Sequence, residues 1–167
     1  EPLSNLDARL RDSMRLEIRR ICKERFVAVA RPLERAYTPL FPGAEELLRA
    51  IRAAGGRAAI VSTKQAETIA CTLKYFRLEE AVPLVVGGDQ VRRVKPDPEG
   101  LNRALSALGR ENALYVGDTV IDAETAKRAG VDFAAVLNGA TAAAEFDRWP
   151  CRYVAGDLWA LKDWLEV

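Results

Sequence analysis

Residues 113–137 read ALYVGDTVIDAETAKRAGVDFAAVL, and this stretch decides the fold. It contains a short apolar run over 113–118, a helical pattern over 122–130 that ends in glycine, and a second apolar run over 132–137. A helix between two short apolar runs is typical of two parallel strands with a helical crossover. The stretch therefore predicts a strand, a helix and a parallel strand in that order.

The same alternation continues on both sides of this stretch. The pattern predicts helices over 44–56, 66–76, 97–109 and 157–165, and strands over 57–62, 83–88 and 152–154. Apolar strands that alternate with helices at this spacing indicate an α/β fold, with a parallel sheet and helices on both of its faces. Ligands of such sheets bind at the carboxyl ends of the strands. The residues that end each strand are therefore the candidates for chemistry.

The first part of the chain has a different pattern. Apolar residues recur at helical spacing over 4–30, which predicts an amphipathic helix that Pro32 ends or kinks. The stretch TPLFPG over 38–43 has two prolines and a glycine, as expected of a hinge. We therefore expect two parts, residues 1–38 and residues 39–167.

Composition excludes several classes of function. Lys and Arg total 25 against 24 Asp and Glu, so no strongly basic surface is expected to attract nucleic acid. The 167 residues contain no histidine, which excludes Ser-His-Asp catalysis and histidine-ligated zinc. The three cysteines lack C-x-x-C spacing, so we expect reduced thiols and a cytoplasmic protein. No apolar run is long enough to predict a membrane span.

Two predicted strand ends offer groups that suit an anion. Ser62 and Thr63 end the strand over 57–62, where hydroxyl and backbone N–H groups fit a phosphate oxygen. Helix capping by either residue is the commoner role when the stretch is considered alone. Lys95 precedes a proline, which holds its backbone extended and places a cation near the end of the strand over 83–88. A solvated surface lysine is the alternative.

The strand over 113–118 ends in paired carboxylates. Gly117 lets the backbone turn, and Asp118 and Asp122 lie one helical turn apart, so both carboxylates can face the same side. Two such groups repel unless a cation lies between them, and Mg²⁺ takes one or two carboxylates together with waters and a substrate phosphate. The alternative is helix capping by Asp118 and a favourable helix-dipole position for Asp122.

The order of these groups resembles the motifs of the haloacid dehalogenase superfamily of phosphohydrolases. AAIVSTK (58–64), VKPDP (94–98) and YVGDTVIDAETAKRAG (115–130) resemble its second, third and fourth motifs. PG (42–43), GGD (87–89) and KPDP resemble the phosphoglycolate phosphatase branch. The resemblance covers residues 39–167 and implies a Rossmann-like core. Residues 1–38 resemble only part of the helical cap of this branch.

The resemblance also implies roles for the candidate residues. Ser62 and Thr63 would bind the phosphoryl group, and Lys95 would neutralise its charge. Ser62 and Lys95 would thus be the catalytic groups of this chain. Asp118 would bind Mg²⁺, with Asp122 supporting the ion directly or through water. The substrate would be a small phosphorylated metabolite selected by the cap, and neither nucleic acid nor a membrane is expected as a partner.

The sequence departs from the family at the first motif. That motif is D-x-D after the opening strand, where the first Asp attacks phosphorus and the second handles the proton. No D-x-D occurs in the chain, and Asp7 and Asp12 do not follow an apolar strand. We therefore expect these residues alone to be inactive, and we expect a segment before Glu1 to carry the motif. Without its central strand, the sheet should have a gap between the strands that end at Ser62 and Asp118.

Two further hypotheses remain open at this point. The chain could be a non-catalytic domain that binds a phosphorylated metabolite or another protein, as the absence of D-x-D suggests. Within the superfamily, it could instead be a dehalogenase, a phosphonate hydrolase or a sugar-phosphate mutase, since these differ mainly in the cap and in the first motif. A Mg²⁺ requirement would disfavour the dehalogenase.

Overall fold

The computed structural model describes residues 40–109 and 112–167. The predicted helix over 4–30 and the cap over 1–38 lie outside these residues, and the division at residue 38 stays a prediction. The described helices are α1 (Ala44–Ala53), α2 (Ala66–Tyr75), α3 (Glu99–Leu108), α4 (Val120–Ala129) and α5 (Leu158–Leu165). The strands are β1 (Ala59–Val61), β2 (Leu84–Val86), β3 (Leu114–Gly117), β4 (Asp132–Val136) and β5 (Cys151–Ala155). Short 3₁₀ helices cover Gly88–Gln90 and Ala143–Phe146.

All paired strands are parallel, which confirms the predicted α/β class. β1 pairs with β2, with Ile60 opposite Val85. β3 pairs with β4, and β4 with β5, in the order β3-β4-β5. The described strands thus form two sheets rather than one, and the break falls between β1 and β3. This is the position where the resemblance implies a missing central strand.

Helices cover both faces of the three-stranded sheet, because β4 alternates its side chains between two apolar layers. Phe133 and Ala135 pack with Ala123 and Ala126 of α4 and with Phe146. On the opposite face, Ala134 and Val136 pack with Leu47 of α1 and Leu161 of α5, and Ala155 of β5 joins them. β4 therefore lies in the best-packed part of the described core, and the prediction of helices on both faces is confirmed.

Helix α3 joins the two sheets. Its Leu101 and Leu105 are buried, and they pack against Val61 of β1 on one side of the break and Tyr115 of β3 on the other. Gly100, at the start of this helix, lies close to Val61. A Cβ at residue 100 would be 3.1 Å from the valine side chain. The shared apolar contacts hold the ends of β1 and β3 in one structure, although the two strands do not pair.

No helix of the described ranges is both long and apolar enough to cross a membrane.

Replacing Phe133 by alanine tests the central position of β4. Phe133 is 1% exposed, so we expect Phe133→Ala to lower the free energy of unfolding by about 3–5 kcal/mol, as for other buried phenylalanines. Phe41→Ala is the matched control, because Phe41 is 52% exposed and its loss should change stability by less than about 1 kcal/mol. Urea unfolding monitored by circular dichroism measures both. Equal losses for the two variants would contradict this description of the core.

Candidate functional site

The residue that ends β1 and the lysine beyond β2 line one pocket. Ser62 and Lys95 both contribute to it, together with Val61, Val86 and Gly87 at the strand ends and residues of the loop over 91–97. Ser62 is tied to β2 through its backbone N–H, which donates to Val86 O at 3.0 Å. Ser62 and Lys95 are therefore brought to one pocket, while the predicted convergence of the hydroxyl and the ammonium stays a prediction.

The loop that carries Lys95 is held by the first residue of α3. The Glu99 carboxylate accepts hydrogen bonds from the backbone N–H groups of Arg92, at 3.1 Å, and Arg93, at 3.2 Å. The Asp97 carboxylate accepts from Glu99 N at 3.0 Å and forms an ion pair with Arg93 at 3.1 Å. α3 therefore begins at Glu99, two residues after its predicted start, and these contacts fix the course of the backbone around Lys95.

The Lys95 ammonium contacts the side chains of Asp122 and Tyr115, which also contact each other; these three groups form a polar triangle. Its ammonium donates to Asp122 Oδ1 at 2.6 Å and to Tyr115 Oη at 3.3 Å, and the Tyr115 hydroxyl donates to Asp122 Oδ1 at 3.1 Å. The side chains of Lys95 and Asp122 are 18% and 5% exposed, so the ion pair is largely shielded from water. The pair joins the loop after β2 to the helix after β3, across the break between the sheets.

Thr119 completes the contacts of the Asp122 carboxylate. Its hydroxyl donates to Asp122 Oδ2 at 2.6 Å and its backbone N–H donates to the same oxygen at 3.2 Å, while Asp122 N donates to Thr119 Oγ1 at 3.2 Å. This capping box starts α4 at Val120, before the predicted start at Asp122. Gly117 makes the arrangement possible, because a Cβ there would overlap the Asp122 side chain. Thr119, and not Asp118, is therefore the helix cap.

These contacts shift the pKa values of two groups. Burial acts to raise the pKa of Asp122, but hydrogen bonds from Lys95 and Thr119, the Lys95 charge and the Tyr115 hydrogen bond together hold it below 3.8. Burial raises the pKa of Tyr115, and the charge of Asp122, the hydrogen bond to Asp122 and the charge of Asp118 raise it further. Asp122 is therefore ionised and Tyr115 protonated at neutral pH, as the triangle of contacts requires.

Asp118 has different surroundings. Its carboxylate makes no hydrogen bond or ion pair with any residue in 40–109 or 112–167, and it lies against Gly139, where a Cβ would overlap Asp118 Oδ2. Within these same ranges, no three acidic or cysteine side chains converge as a ready metal cluster. One uncommitted carboxylate fits Mg²⁺, which is commonly held by one or two carboxylates together with waters and phosphate oxygens. Within the described ranges, Asp118 is thus a residue that could hold the ion.

Asp122 fits a metal less well, because its two oxygens already accept four hydrogen bonds from three residues. Its predicted role as a metal ligand, direct or through water, stays a prediction. What the structure does show is that Asp122 anchors Lys95. Asp118 precedes the capping residue and so lies outside α4, whereas Asp122 lies in its first turn; among the described residues, only the Asp122 carboxylate of the two has hydrogen-bond partners.

Two of the backbone N–H groups after β1 have side-chain acceptors. Ser62 Oγ accepts from Lys64 N at 3.1 Å, and Asp89 Oδ1 accepts from Ala66 N, the first residue of α2, at 2.8 Å. The alternative role of Ser62 or Thr63 as the cap of this helix is not observed, because Asp89 of the GGD stretch accepts from its first N–H group. The predicted phosphate contacts of the Ser62 hydroxyl and of the exposed Thr63 stay predictions.

Three residues of the site were missed in the sequence. Thr119 could have been found, since T-x-x-D over 119–122 is close to a capping box. Tyr115 gives a weaker signal: it precedes Gly117 by two residues, so both lie on the same face of β3. Asp89 gives no local signal, because its partner in α2 lies far away in the sequence.

The fold and the order of these groups agree with one known family. The model of the haloacid dehalogenase-like hydrolases matches residues 7–136. The chain belongs to this family. The solved structure of a haloacid dehalogenase-like hydrolase from Bacteroides fragilis is similar, with 37% identity and a TM-score of 0.70 over 73% of this chain and 59% of that one. The predicted resemblance is therefore confirmed.

Two curated relatives with named activities are similar to part of this chain. A phosphoglycolate phosphatase of Cereibacter sphaeroides is 39% identical over 102 residues, which are 61% of this chain and 47% of that protein. The pyrophosphatase PpaX of Halalkalibacterium halodurans is 40% identical over 98 residues, which are 58% of this chain and 46% of that protein. The chain thus spans about half the length of the curated relatives that it matches.

The lowered pKa of Asp122 predicts a pH dependence of stability. Because the folded pKa lies below 3.8, the unfolded state takes up a proton first as the pH falls. The stabilising contribution of ionised Asp122 is therefore complete above about pH 5 and is lost as the pH falls through the folded pKa. We expect Asp122→Asn to lower the free energy of unfolding by about 2 kcal/mol at pH 7, as for hydrogen bonds to charged groups. The difference from wild type should shrink below pH 4.

Urea unfolding at a series of pH values between 3 and 7 measures this difference. Asp132→Asn is the control, because Asp132 also forms an ion pair, with Arg152 at 2.9 Å, but both side chains are more than half exposed. Exposed pairs contribute little, so the control should stay close to wild type throughout. A difference between Asp122→Asn and wild type that does not depend on pH would contradict the assigned cause.

Proposed function

We propose that the protein is a magnesium-dependent phosphomonoesterase of the phosphoglycolate phosphatase type, and that this chain supplies its phosphoryl-binding and metal-binding groups. The observation that carries the proposal is the placement of Lys95. Lys95 lines the same pocket as Ser62, and its shielded ammonium is paired with Asp122 in the first turn of the helix that follows Asp118. A cation, a hydroxyl and an uncommitted carboxylate at neighbouring strand ends suit a phosphoryl group and its counter-ion.

Each group has a distinct role in this proposal. The Lys95 ammonium has three protons, of which Asp122 and Tyr115 accept two, so one is left for a phosphoryl oxygen. The Ser62 hydroxyl donates to a second phosphoryl oxygen, and Thr63 lies beside it. Asp118 holds Mg²⁺, which when bound would supply positive charge to the phosphoryl oxygens. These contacts would stabilise charge and fix orientation, which are the main protein contributions to phosphoryl transfer.

The nucleophile of the family mechanism is not found among these 167 residues. In the family mechanism an aspartate of D-x-D attacks phosphorus, and these 167 residues contain no such motif. We therefore propose that these residues alone bind a phosphate ester without hydrolysing it. The substrate is proposed to be a small phosphate ester such as phosphoglycolate, after the name of the relative from Cereibacter sphaeroides, with pyrophosphate as the second compound to test.

The absence of D-x-D favours one second candidate, a non-catalytic domain that binds a phosphorylated metabolite. The two candidates differ in turnover. The test is release of phosphate from phosphoglycolate, with and without Mg²⁺, by the full-length product of the gene that encodes this chain. Mg²⁺-dependent hydrolysis that Asp118→Asn abolishes supports the phosphatase. Phosphate binding without hydrolysis by that product supports the binding domain, and the absence of both rejects both.

Lys95 should dominate phosphate affinity. Lys95→Met removes the charged donor but keeps most of the aliphatic stem, so we expect at least a tenfold loss of inorganic phosphate affinity, as for a hydrogen bond to a charged group. Isothermal titration calorimetry of this chain, below the melting temperature of each variant, measures the affinity. Lys74→Met is the matched control, because Lys74 is exposed in the last turn of α2. Equal affinity of Lys95→Met and wild type would reject the assigned role.

Gly139 offers a test of the metal site. A Cβ at residue 139 would overlap Asp118 Oδ2, so Gly139→Ala should displace that carboxylate without a change of backbone. We expect about a tenfold loss of Mg²⁺ affinity, as for other changes beside a metal ligand. Gly156→Ala is the control, because nothing lies within 4 Å of a Cβ there. Titration calorimetry with Mg²⁺ measures both, and unchanged affinity in Gly139→Ala would count against Asp118 as a ligand.

A further inference from the structure

We propose that Tyr115 is a positioning residue for Lys95, whose hydroxyl fixes the direction in which the ammonium presents its free proton to a phosphate oxygen. The inference deepens the proposed function and rests on it where phosphate is concerned. Tyr115 does not touch the substrate in this proposal. It acts through Lys95, and its hydroxyl is the third member of the polar triangle described above.

The geometry supplies the first argument. An ammonium held by one acceptor can still rotate about that contact, so the 2.6 Å contact to Asp122 Oδ1 does not by itself orient the remaining protons. A second acceptor, Tyr115 Oη at 3.3 Å, removes this freedom. Two of three protons are then committed in fixed directions, which leaves one for a ligand.

The chemistry of the hydroxyl supplies the second argument. A phenol can accept and donate at once, and Tyr115 accepts from Lys95 while it donates to Asp122 Oδ1 at 3.1 Å. It therefore satisfies the lysine without leaving the carboxylate short of a donor. Phenylalanine would keep the ring and lose both contacts.

The placement of the ring supplies the third argument. Tyr115 belongs to β3 and packs against the buried cluster of Leu101, Leu105 and Ala129. It also contacts Phe133 of β4, with ring centroids 6.2 Å apart. Its hydroxyl is therefore set by the core and not by a mobile loop, which is what a group that orients a flexible lysine requires.

Tyr115→Phe tests the inference, because it removes the hydroxyl and keeps the packing of the ring. Without the second acceptor, the Lys95 side chain should become more mobile. The measurement is the NMR order parameter of the Lys95 Cε methylene in the ligand-free chain, which we expect to fall. An unchanged order parameter overturns the proposal, whatever the chain binds.

Titration calorimetry with inorganic phosphate and with Mg²⁺ provides the second measurement. We expect Tyr115→Phe to bind phosphate about threefold to tenfold more weakly, as for the loss of one hydrogen bond, and to bind Mg²⁺ as wild type does, because Asp118 is not a partner of Tyr115. Parallel losses of both affinities would indicate general damage to the site and overturn the proposal.

Tyr153→Phe is the matched control. Tyr153 stacks on Trp164 with centroids 5.0 Å apart, and its hydroxyl has no hydrogen-bond partner among residues 40–109 and 112–167. It should match wild type in both measurements. If Lys95→Met loses phosphate affinity while Tyr115→Phe keeps it, the positioning role fails and the proposed function stands. If wild type binds no phosphate, the proposed function fails, and the order parameter alone decides the role of Tyr115.

Discussion

The ion pair between Lys95 and Asp122 is the interaction on which the arrangement of the site depends. It joins the loop after β2 to the helix after β3, which belong to different sheets. Separating a shielded pair leaves an uncompensated charge, so the geometry has few alternatives once the pair forms. Gly117, Thr119 and Tyr115 serve this contact: the glycine gives it room, and the two hydroxyl groups satisfy the same carboxylate.

Regular elements of the fold could be predicted because their signals are local. The apolar run over 132–137 corresponds to β4 at Asp132–Val136, and glycine correctly marks the end of α4. The starts of α3 and α4 each differ from the prediction by two residues, since they depend on hydrogen bonds made by nearby side chains. α4 begins at Val120 because Thr119 and Asp122 form a capping box. α3 begins at Glu99, whose backbone N–H donates to the Asp97 carboxylate.

The sequence indicated which residues to consider for the candidate site, but not which of their side chains pair. Strand ends indicated Ser62, Lys95, Asp118 and Asp122, because a parallel sheet brings such positions to one edge. Which carboxylate meets the lysine depends on the relative positions of a loop and a helix that are distant in sequence. The two aspartates therefore have separate surroundings: Asp122 pairs with Lys95, and the Asp118 carboxylate has no hydrogen-bond partner among the described residues.

The break between β1 and β3 has a consequence for the behaviour of the chain in solution. Among the described strands, each of these two has a single neighbour, so one side of each carries main-chain amide and carbonyl groups without a strand partner. Such exposed strand edges can pair with an extended segment of another polypeptide, including a further copy of the same molecule. Like the outer sides of β2 and β5, the discontinuity that α3 spans is therefore a place at which a further extended strand could pair.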